Sequence, residues 1–512
     1  MSGNKLTTIS SLDKNLTRLT YLNLANNYIN NLQWNALKGF KALQNLNLAN
    51  NSINSWADII KEGSFSHAPN LRYLSLRGNN LTSLGCDRVL ISETVSELDV
   101  SSANISTVNV NLRDQLPMLN ILHMANNNLS QLNQFPPIPL KKLDLSNCSL
   151  RQINLDSISD SLLTLNISFN PALQLNFSET HFNYLKTLDL SYCKLDKIDL
   201  SNLSSVRELS LRGNSLESSN AISFSSDSSL ESLDLSENSL RVIGNNSFSS
   251  LKLLTHLNLS NNQIKQLDET MIEPNRYLAY LDLSHNNIQK LTKINSANLL
   301  SLNLSWCNIT TIESNALSRH GNIWSLDLSQ NSFTEIPNDW KSDTLKYLNL
   351  SNCMLSTIGN NSLQGFGQLA NLHLNGNRFT NPINPSCFRN NRIPEQIELG
   401  DNPWTCNCQD PIFLEFRKFV TANQLKVMDK QHLLCNKTGI NHEKKFVDVC
   451  ISIPEEKSNV WSTIMLTILV ISFLALFCWY YLKVTRNPRH RNYRRGNWES
   501  YNELNCPLDP SN

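Results

Sequence analysis

The sequence predicts an α/β solenoid, a horseshoe of stacked coils with a disulfide-tied cap at its C-terminal end and a single transmembrane helix beyond it. Three observations predict it. A leucine-spaced unit recurs through most of the 512 residues, four cysteines follow the last unit, and an uncharged apolar run then ends in a basic flank.

The repeat comes first, because a repetitive chain needs no single large core and grows by stacking. From Leu19 the chain reads LTYLNLANNYI, from Leu43 LQNLNLANNSI and from Leu71 LRYLSLRGNNL. The frame restarts at Val95, Leu119, Leu140, Leu162, Leu185, Val206, Leu230, Leu254, Leu278, Leu299, Ile323, Leu345 and Leu369. A degraded copy around Ile397 to Trp404 makes seventeen, about 23 residues apart. Frame and period are those of leucine-rich repeats, which occupy residues 1–393, with the last repeat falling in segment 394–450. Its L-x-L portion alternates apolar and polar positions, which predicts a short strand with leucines inward and variable residues outward. One unit cannot bury its own leucines, so neighbours must stack into a parallel sheet on the concave face. Stretches such as Phe40 to Leu43 and Phe248 to Leu251 close the coils on the convex side.

After each strand the frame calls for Asn, whose amide both donates to and accepts from backbone groups of adjacent coils. Twelve of the seventeen positions are Asn, including Asn27, Asn262 and Asn402; Cys148, Cys193, Cys307, Cys353 and Ala103 fill the others. The four cysteines belong to separate coils and point inward, too scattered to ligate one ion, so they read as buried substitutes for Asn and no metal is expected.

Net charge is +1 and charged residues are only 17% of the chain. No global field draws it to nucleic acid, and none is expected as a partner. The chain has no H-E-x-x-H, no phosphate-cradling glycine loop and no G-x-S-x-G, and its histidines are dispersed. It reads as a non-enzyme without a cofactor.

The motif Asn402-Pro403-Trp404-Thr405-Cys406-Asn407-Cys408 is followed by Cys435 and Cys450. A last coil exposes its leucines unless something covers them, so a cap over 394–450 is a physical requirement. Pro411 to Thr421 reads as a helix within it. Two disulfides among four cysteines have three connectivities. The segment resembles the cysteine-rich C-terminal flanking domain of extracellular leucine-rich-repeat proteins, and that resemblance implies Cys406–Cys435 and Cys408–Cys450. Such bridges persist in oxidising surroundings. Cys86 and Cys387, far apart along the coils, are not expected to pair. At the other end, Asn4 to Ile9 reads as the closing part of a repeat whose strand is absent, so the chain is expected to start mid-repeat, without a leader or N-terminal cap.

A stalk, 451–459, leads to Val460–Leu482, an uncharged stretch long enough to cross the ~30 Å hydrocarbon layer as a helix. Trp461, Trp479, Tyr480 and Tyr481 lie at its ends as interfacial anchors do. Lys483, Arg486, Arg489, Arg491, Arg494 and Arg495 follow, which predicts a type I cell-membrane protein with extracellular repeats and a cytoplasmic tail, 483–512. The tail holds Tyr501-Asn502-Glu503-Leu504, and Tyr501 with Leu504 fits a sorting or phosphotyrosine signal.

Candidate binding residues come from the outward columns. Asp144, Asp189, Asp234, Asp282 and Asp327 make an acidic ladder, read as the ordinary L-D-L-S form of the repeat. Tyr280, Trp306, Trp324 and Tyr347 fall at outward strand positions of four successive coils, beside His285 and Gln330. Exposed aromatics dominate binding hot spots, so Tyr280, His285, Trp306, Trp324 and Tyr347 are predicted to touch a protein or glycan partner. Phe169 and Tyr192 form a smaller pair. Sequons mark Asn15, Asn80, Asn104, Asn128, Asn176, Asn202, Asn245, Asn308, Asn360 and Asn436 as glycosylation candidates. Further sequons lie at Asn50 and Asn147, and at Asn166, Asn258, Asn303 and Asn349, where sugars would crowd the concave face.

From Met1 to about Arg495, the many repeats, the N-P-W-x-C-x-C cap, the short stalk, the spanning helix and the basic flank together resemble a Toll-like receptor. Such receptors continue into a cytoplasmic TIR domain, which the 30-residue tail is too short to hold. The resemblance therefore implies a TIR-less homologue acting as co-receptor or decoy, with a protein or glycan ligand or another leucine-rich-repeat receptor in cis. A leucine-rich-repeat cell-adhesion protein shares the same architecture.

Overall fold

The computed structural model describes residues 1–450 except 10–15, 33–35, 61–64, 66, 86–89, 176, 178–181, 245, 295, 297, 318–321, 339, 389–393, 425 and 437–443, together with 467–472, 474–476 and 479. Two compact units are present, Met1–Val449 and Cys450–Asn512.

In the first unit, seventeen strands, one per coil, form a single sheet from Tyr21–Asn23 to Gln396–Glu398. All pairings are parallel and in register: Leu22 faces Leu46, Leu46 faces Leu74, and at the far end Leu372 faces Ile397. The register repeats because every coil presents the same frame. A one-residue slip would turn each strand's buried leucine to solvent. The helical half of the predicted α/β class is corrected. Among the described residues, the coils close opposite the sheet through turns, two four-residue helices, Ala57–Ile60 and Leu112–Gln115, and short paired strands such as Ile198–Leu200 with Ile222–Phe224. A unit of about 23 residues, with a strand and two crossings to complete, has room for roughly one helical turn. Phe40, Phe135, Phe248 and Phe366 fill these closing stretches fully buried.

The Asn column supports the stack from inside. Asn262 donates through Nδ2 to the carbonyls of Leu235 and Leu259, both at 3.0 Å, while its Oδ1 accepts from Leu240 N–H at 3.0 Å. Each cysteine of the column donates its thiol as that amide would: Cys148 to Met124 O at 3.1 Å, Cys307 to Leu283 O at 3.1 Å and Cys353 to Leu328 O at 3.0 Å. Burial pushes these three thiols up to about 12 and Cys193 up to about 11, so they remain protonated donors. A thiol offers no acceptor like Oδ1, so the preceding coil's Leu129 N–H pairs with Cys148 O instead, at 2.8 Å, and the following coil takes up the cysteine's own N–H. Asn170 accepts from both Cys148 N–H and Leu150 N–H. The asparagines that follow Ala103, Cys193, Cys307 and Cys353 are doubly engaged in the same way.

The first coil carries residues 1–9 on its open side. Tyr28 N–H donates to Leu6 O at 2.8 Å, Leu6 N–H to Asn27 Oδ1 at 3.1 Å, and Ile9 is buried. At the other end the predicted helix spans Pro411–Ala422. Asp410 caps it by accepting from Ile412 N–H at 2.9 Å, and Pro411 occupies its first turn. Phe413 and Phe416 of its buried face meet Phe446, and Phe416 meets Trp404, which also stacks on Phe379 at 5.6 Å. Cys406 is joined to Cys435, and Cys408 also belongs to a disulfide. Just past the last strand, Asp429 accepts Leu399 N–H at 2.9 Å, as a further coil's carbonyl would, and also Gly400 N–H at 2.5 Å. Burial raises the Asp429 carboxyl above its ordinary range.

In the second unit, 467–472, 474–476 and 479 are helical, with Ile468, Leu469, Val470, Ile471, Leu474, Leu476 and Trp479 exposed. Among the described residues no helix is long and apolar enough to cross a membrane. Most of the predicted span 460–482, the stalk and the tail with Tyr501 and Leu504 lie outside the described residues, as do Asn15, Cys86, Asn176 and Asn245.

Candidate functional site

Each coil leaves its strand through a sharp turn, built in two columns. In the first, an Asp or Asn in the strand's last position accepts the N–H of the residue two places on. Asp99, Asp144, Asp189, Asp234, Asp282 and Asp327 each take a serine N–H at 2.8–3.0 Å. These Asx turns end the strand, so the acidic ladder serves the fold. Asn258, Asn303 and Asn349 do the same. Asn303 and Asn349 also donate to the neighbouring Asp282 and Asp327, at 3.2 and 3.0 Å.

The second column is the residue immediately before the buried Asn position. In all seventeen coils it has positive φ, between +51° and +70°. Left-handed backbone suits Gly and Asn and costs other residues of order 1 kcal/mol or more. Nine of the seventeen are Asn or Gly, but Phe169, Tyr192, Glu237, His285, Trp306 and Gln330 are not. Bulky side chains in a strained, exposed turn are a signal of use beyond the fold.

This geometry redistributes the predicted aromatic site. Tyr280 and Tyr347 do open their strands, Tyr280–Asp282 and Tyr347–Asn349. Trp306 does not lie on a strand. It occupies the positive-φ turn after Ser301–Asn303, 53% exposed, with its ring stacked on His285 of the preceding coil at 5.5 Å. Trp324 precedes the strand Ser325–Asp327 and is 42% exposed. The period-2 alternation lasts only three residues per coil, so spacing carried outside that window misplaces side chains.

Three aromatic pairs result. His285 and Trp306 make the first. His256, unremarked in the sequence, stacks on Tyr280 at 4.5 Å above a sheet-face recess of about 460 Å³ lined by Asp234, Asn258, Asp282 and Asn303. Tyr347 meets His373 at 5.1 Å, and His373 Nδ1 lies 2.7 Å from Glu398 Oε2. Burial first, then Asp327 and Glu398, raises the Tyr347 hydroxyl above its ordinary value. The strand frame puts His256 level with Tyr280 and His373 in the Asp column, but which rings meet is set by the stacking of the coils. The arrangement offers flat aromatic faces beside hydrogen-bonding groups, suited to binding. The sequon residues Asn80, Asn104, Asn128, Asn308 and Asn360 are exposed, and Asn202 and Asn436 half-buried. Asn308 donates to Asn287 Oδ1 at 3.2 Å, on a different column from Trp306.

Sequence profiles of the leucine-rich repeat match residues 17–81, 139–160, 184–206, 204–264, 228–288, 295–311 and 322–379. No curated protein sequence matches the chain. Among solved structures, a leucine-rich-repeat protein of Leptospira interrogans is similar with a TM-score of 0.51 and 23% identity, covering 78% of this chain and 94% of that one. The TLR13–ssRNA13 complex gives 0.42 and 19%, covering 87% and 86%. The Toll–Spätzle complex of Drosophila gives 0.49 and 19%, covering 86% and 58%. These likenesses concern the fold.

Proposed function

The chain is a leucine-rich-repeat protein, and we propose that it is a single-pass cell-surface recognition protein, binding a protein or glycan partner through its repeats. The Toll-like character of its sequence favours a co-receptor or decoy role in innate immune signalling, in cis with another leucine-rich-repeat receptor. The observation that carries the binding reading is the His285–Trp306 stack. An exposed indole sits in a left-handed turn that Asn or Gly fills more cheaply elsewhere. Rigid aromatic anchors of this kind lose little entropy on binding. The exposed apolar helix residues from Ile468 to Trp479 favour anchoring in a bilayer, and the basic run from Lys483 to Arg495 favours repeats on the outside.

On cells displaying the full chain, antibodies to the repeats are expected to bind without permeabilisation; staining only after permeabilisation defeats the surface assignment. Trp306→Ala with Trp324→Ala is expected to weaken partner binding by about tenfold or more, the size of a hot-spot loss. Unchanged binding removes the aromatic site. Clustering of cells that display the chain, with no altered response to microbial products, replaces the immune reading with cell adhesion.

A further inference from the structure

The positive-φ column that carries His285 and Trp306 carries a second aromatic pair, and the residue before that pair is a sequon asparagine. Asn147 N–H donates to Ser168 O, Phe169 N–H to Ser191 O, Tyr192 N–H to Arg212 O and Gly213 N–H to Ser236 O, all at 2.8–2.9 Å. Asn147, Phe169, Tyr192, Gly213 and Glu237 therefore stand on consecutive coils along one edge, about 4.8 Å apart. Tyr192 is fixed in place. Its hydroxyl donates to Glu237 Oε2 at 2.5 Å, and Arg212 donates to Glu237 Oε1 at 2.5 Å and to the Tyr192 hydroxyl at 3.2 Å. Gly213 lets the ring cross its coil, since a Cβ there would lie 2.2 Å from Tyr192 Cε1. Phe169 stacks on this fixed ring with centroids 4.6 Å apart and planes 17° apart. Tyr192 thus covers one face of Phe169, and the residue remains 50% exposed. The coil before Phe169 on this column is that of Asn147.

Asn147-Cys148-Ser149 is an N-glycosylation sequon, and Asn147 is exposed. Its Nδ2 donates to Asn126 Oδ1 at 2.8 Å. An N-linked sugar replaces one of the two amide hydrogens, so the other still makes that bond. We propose that Asn147 carries an N-glycan whose first sugar lays its C–H face on the free face of Phe169, with the Tyr192–Glu237–Arg212 network as the support beneath. In the modification Nδ2 bonds to the anomeric carbon of a lipid-diphosphate-linked oligosaccharide; the lipid diphosphate leaves with the glycosidic electron pair, and Nδ2 loses one proton. The proposal rests on the cell-surface reading, because the attachment takes place in the secretory pathway. It also separates the two aromatic pairs. The residue before His285 on this column is Asn261, whose sequence Asn261-Asn262-Gln263 is no sequon, so sugar covers the Phe169–Tyr192 pair and leaves the His285–Trp306 pair open to a partner.

The test uses the full chain purified from mammalian cells, with occupancy of each sequon mapped by mass spectrometry. Asn147 is expected to be occupied. An amidase that cleaves the sugar–asparagine bond, applied to the native protein, is expected to release the Asn147 glycan roughly twofold to tenfold faster from Phe169→Asn than from wild type, the range of one aromatic contact. Release from Asn104 and Asn128 is expected to be unchanged. Asn is the residue this column uses on other coils, so the variant keeps the fold. An empty Asn147 beside occupied Asn104 and Asn128, or equal release rates, overturns the proposal and leaves the surface reading intact. A chain with every sequon empty overturns both.

Discussion

Two columns of the solenoid, one residue apart in every coil, behave in opposite ways. The inner column is buried and nearly uniform, Asn with Cys or Ala in its place, because an Asn there matches backbone donors and acceptors of the preceding coil and carbonyls of its own. The outer column shares one backbone conformation but varies from Gly to Trp. Conformation constrains both, and only the inner one is also constrained by unsatisfied polar groups in a dry interior. Strain on the inner column would endanger the stack. On the outer column it is tolerated, and that is where recognition has room to vary.

The largest expected effect tests the inner column. Asn170→Ala orphans two buried N–H groups, whereas Asn238→Ala orphans one. Denaturant unfolding of the repeats should show losses of about 2–5 kcal/mol for Asn170→Ala and about 1–3 kcal/mol for Asn238→Ala. Equal losses would break the link between a cysteine rung and the doubly engaged asparagine after it. Cys307→Ala, the residue this column holds at Ala103, removes the thiol donor to Leu283 O and should cost about 1–2 kcal/mol; a neutral result would make the thiol mere filler.

Asp429 takes the Leu399 N–H that a further coil's carbonyl would accept, and here the sign follows from burial. Its carboxyl is raised in the folded chain, so the fold holds that proton more tightly than the unfolded chain does. Its contribution is fully present below the unfolded value of about 3.9 and is lost as pH rises through the raised value. Thermal unfolding across that window should show the decline in wild type and a flatter profile in Asp429→Asn. Matching profiles would show that the cap tolerates the charge freely.

The smallest effect is expected on the outer column. Trp306→Asn relieves a strained turn while giving up the stack on His285, two terms of similar size, so stability should move by less than about 1 kcal/mol. A large loss would show that the outer aromatics hold the coils together, and the contrast between the columns would fail.

The number of coils, the strand in each, the inner Asn column with its cysteine substitutes, and the capping helix were all legible in the sequence. Each depends on spacing within one unit of the chain and on the need to bury leucines. Trp306 was not legible: alternation gives the face of a residue only while the strand lasts, and the chain had already turned. Nor were the pairings His256–Tyr280, His285–Trp306 and Tyr347–His373, because each joins residues some twenty places apart that only stacking brings together. By itself the sequence determined a repeating unit and its buried face. Tertiary structure decided which exposed side chains meet, because lateral contact depends on how each coil turns, and the left-handed turn that sets it makes no demand on the identity of the residue within it beyond a cost in strain.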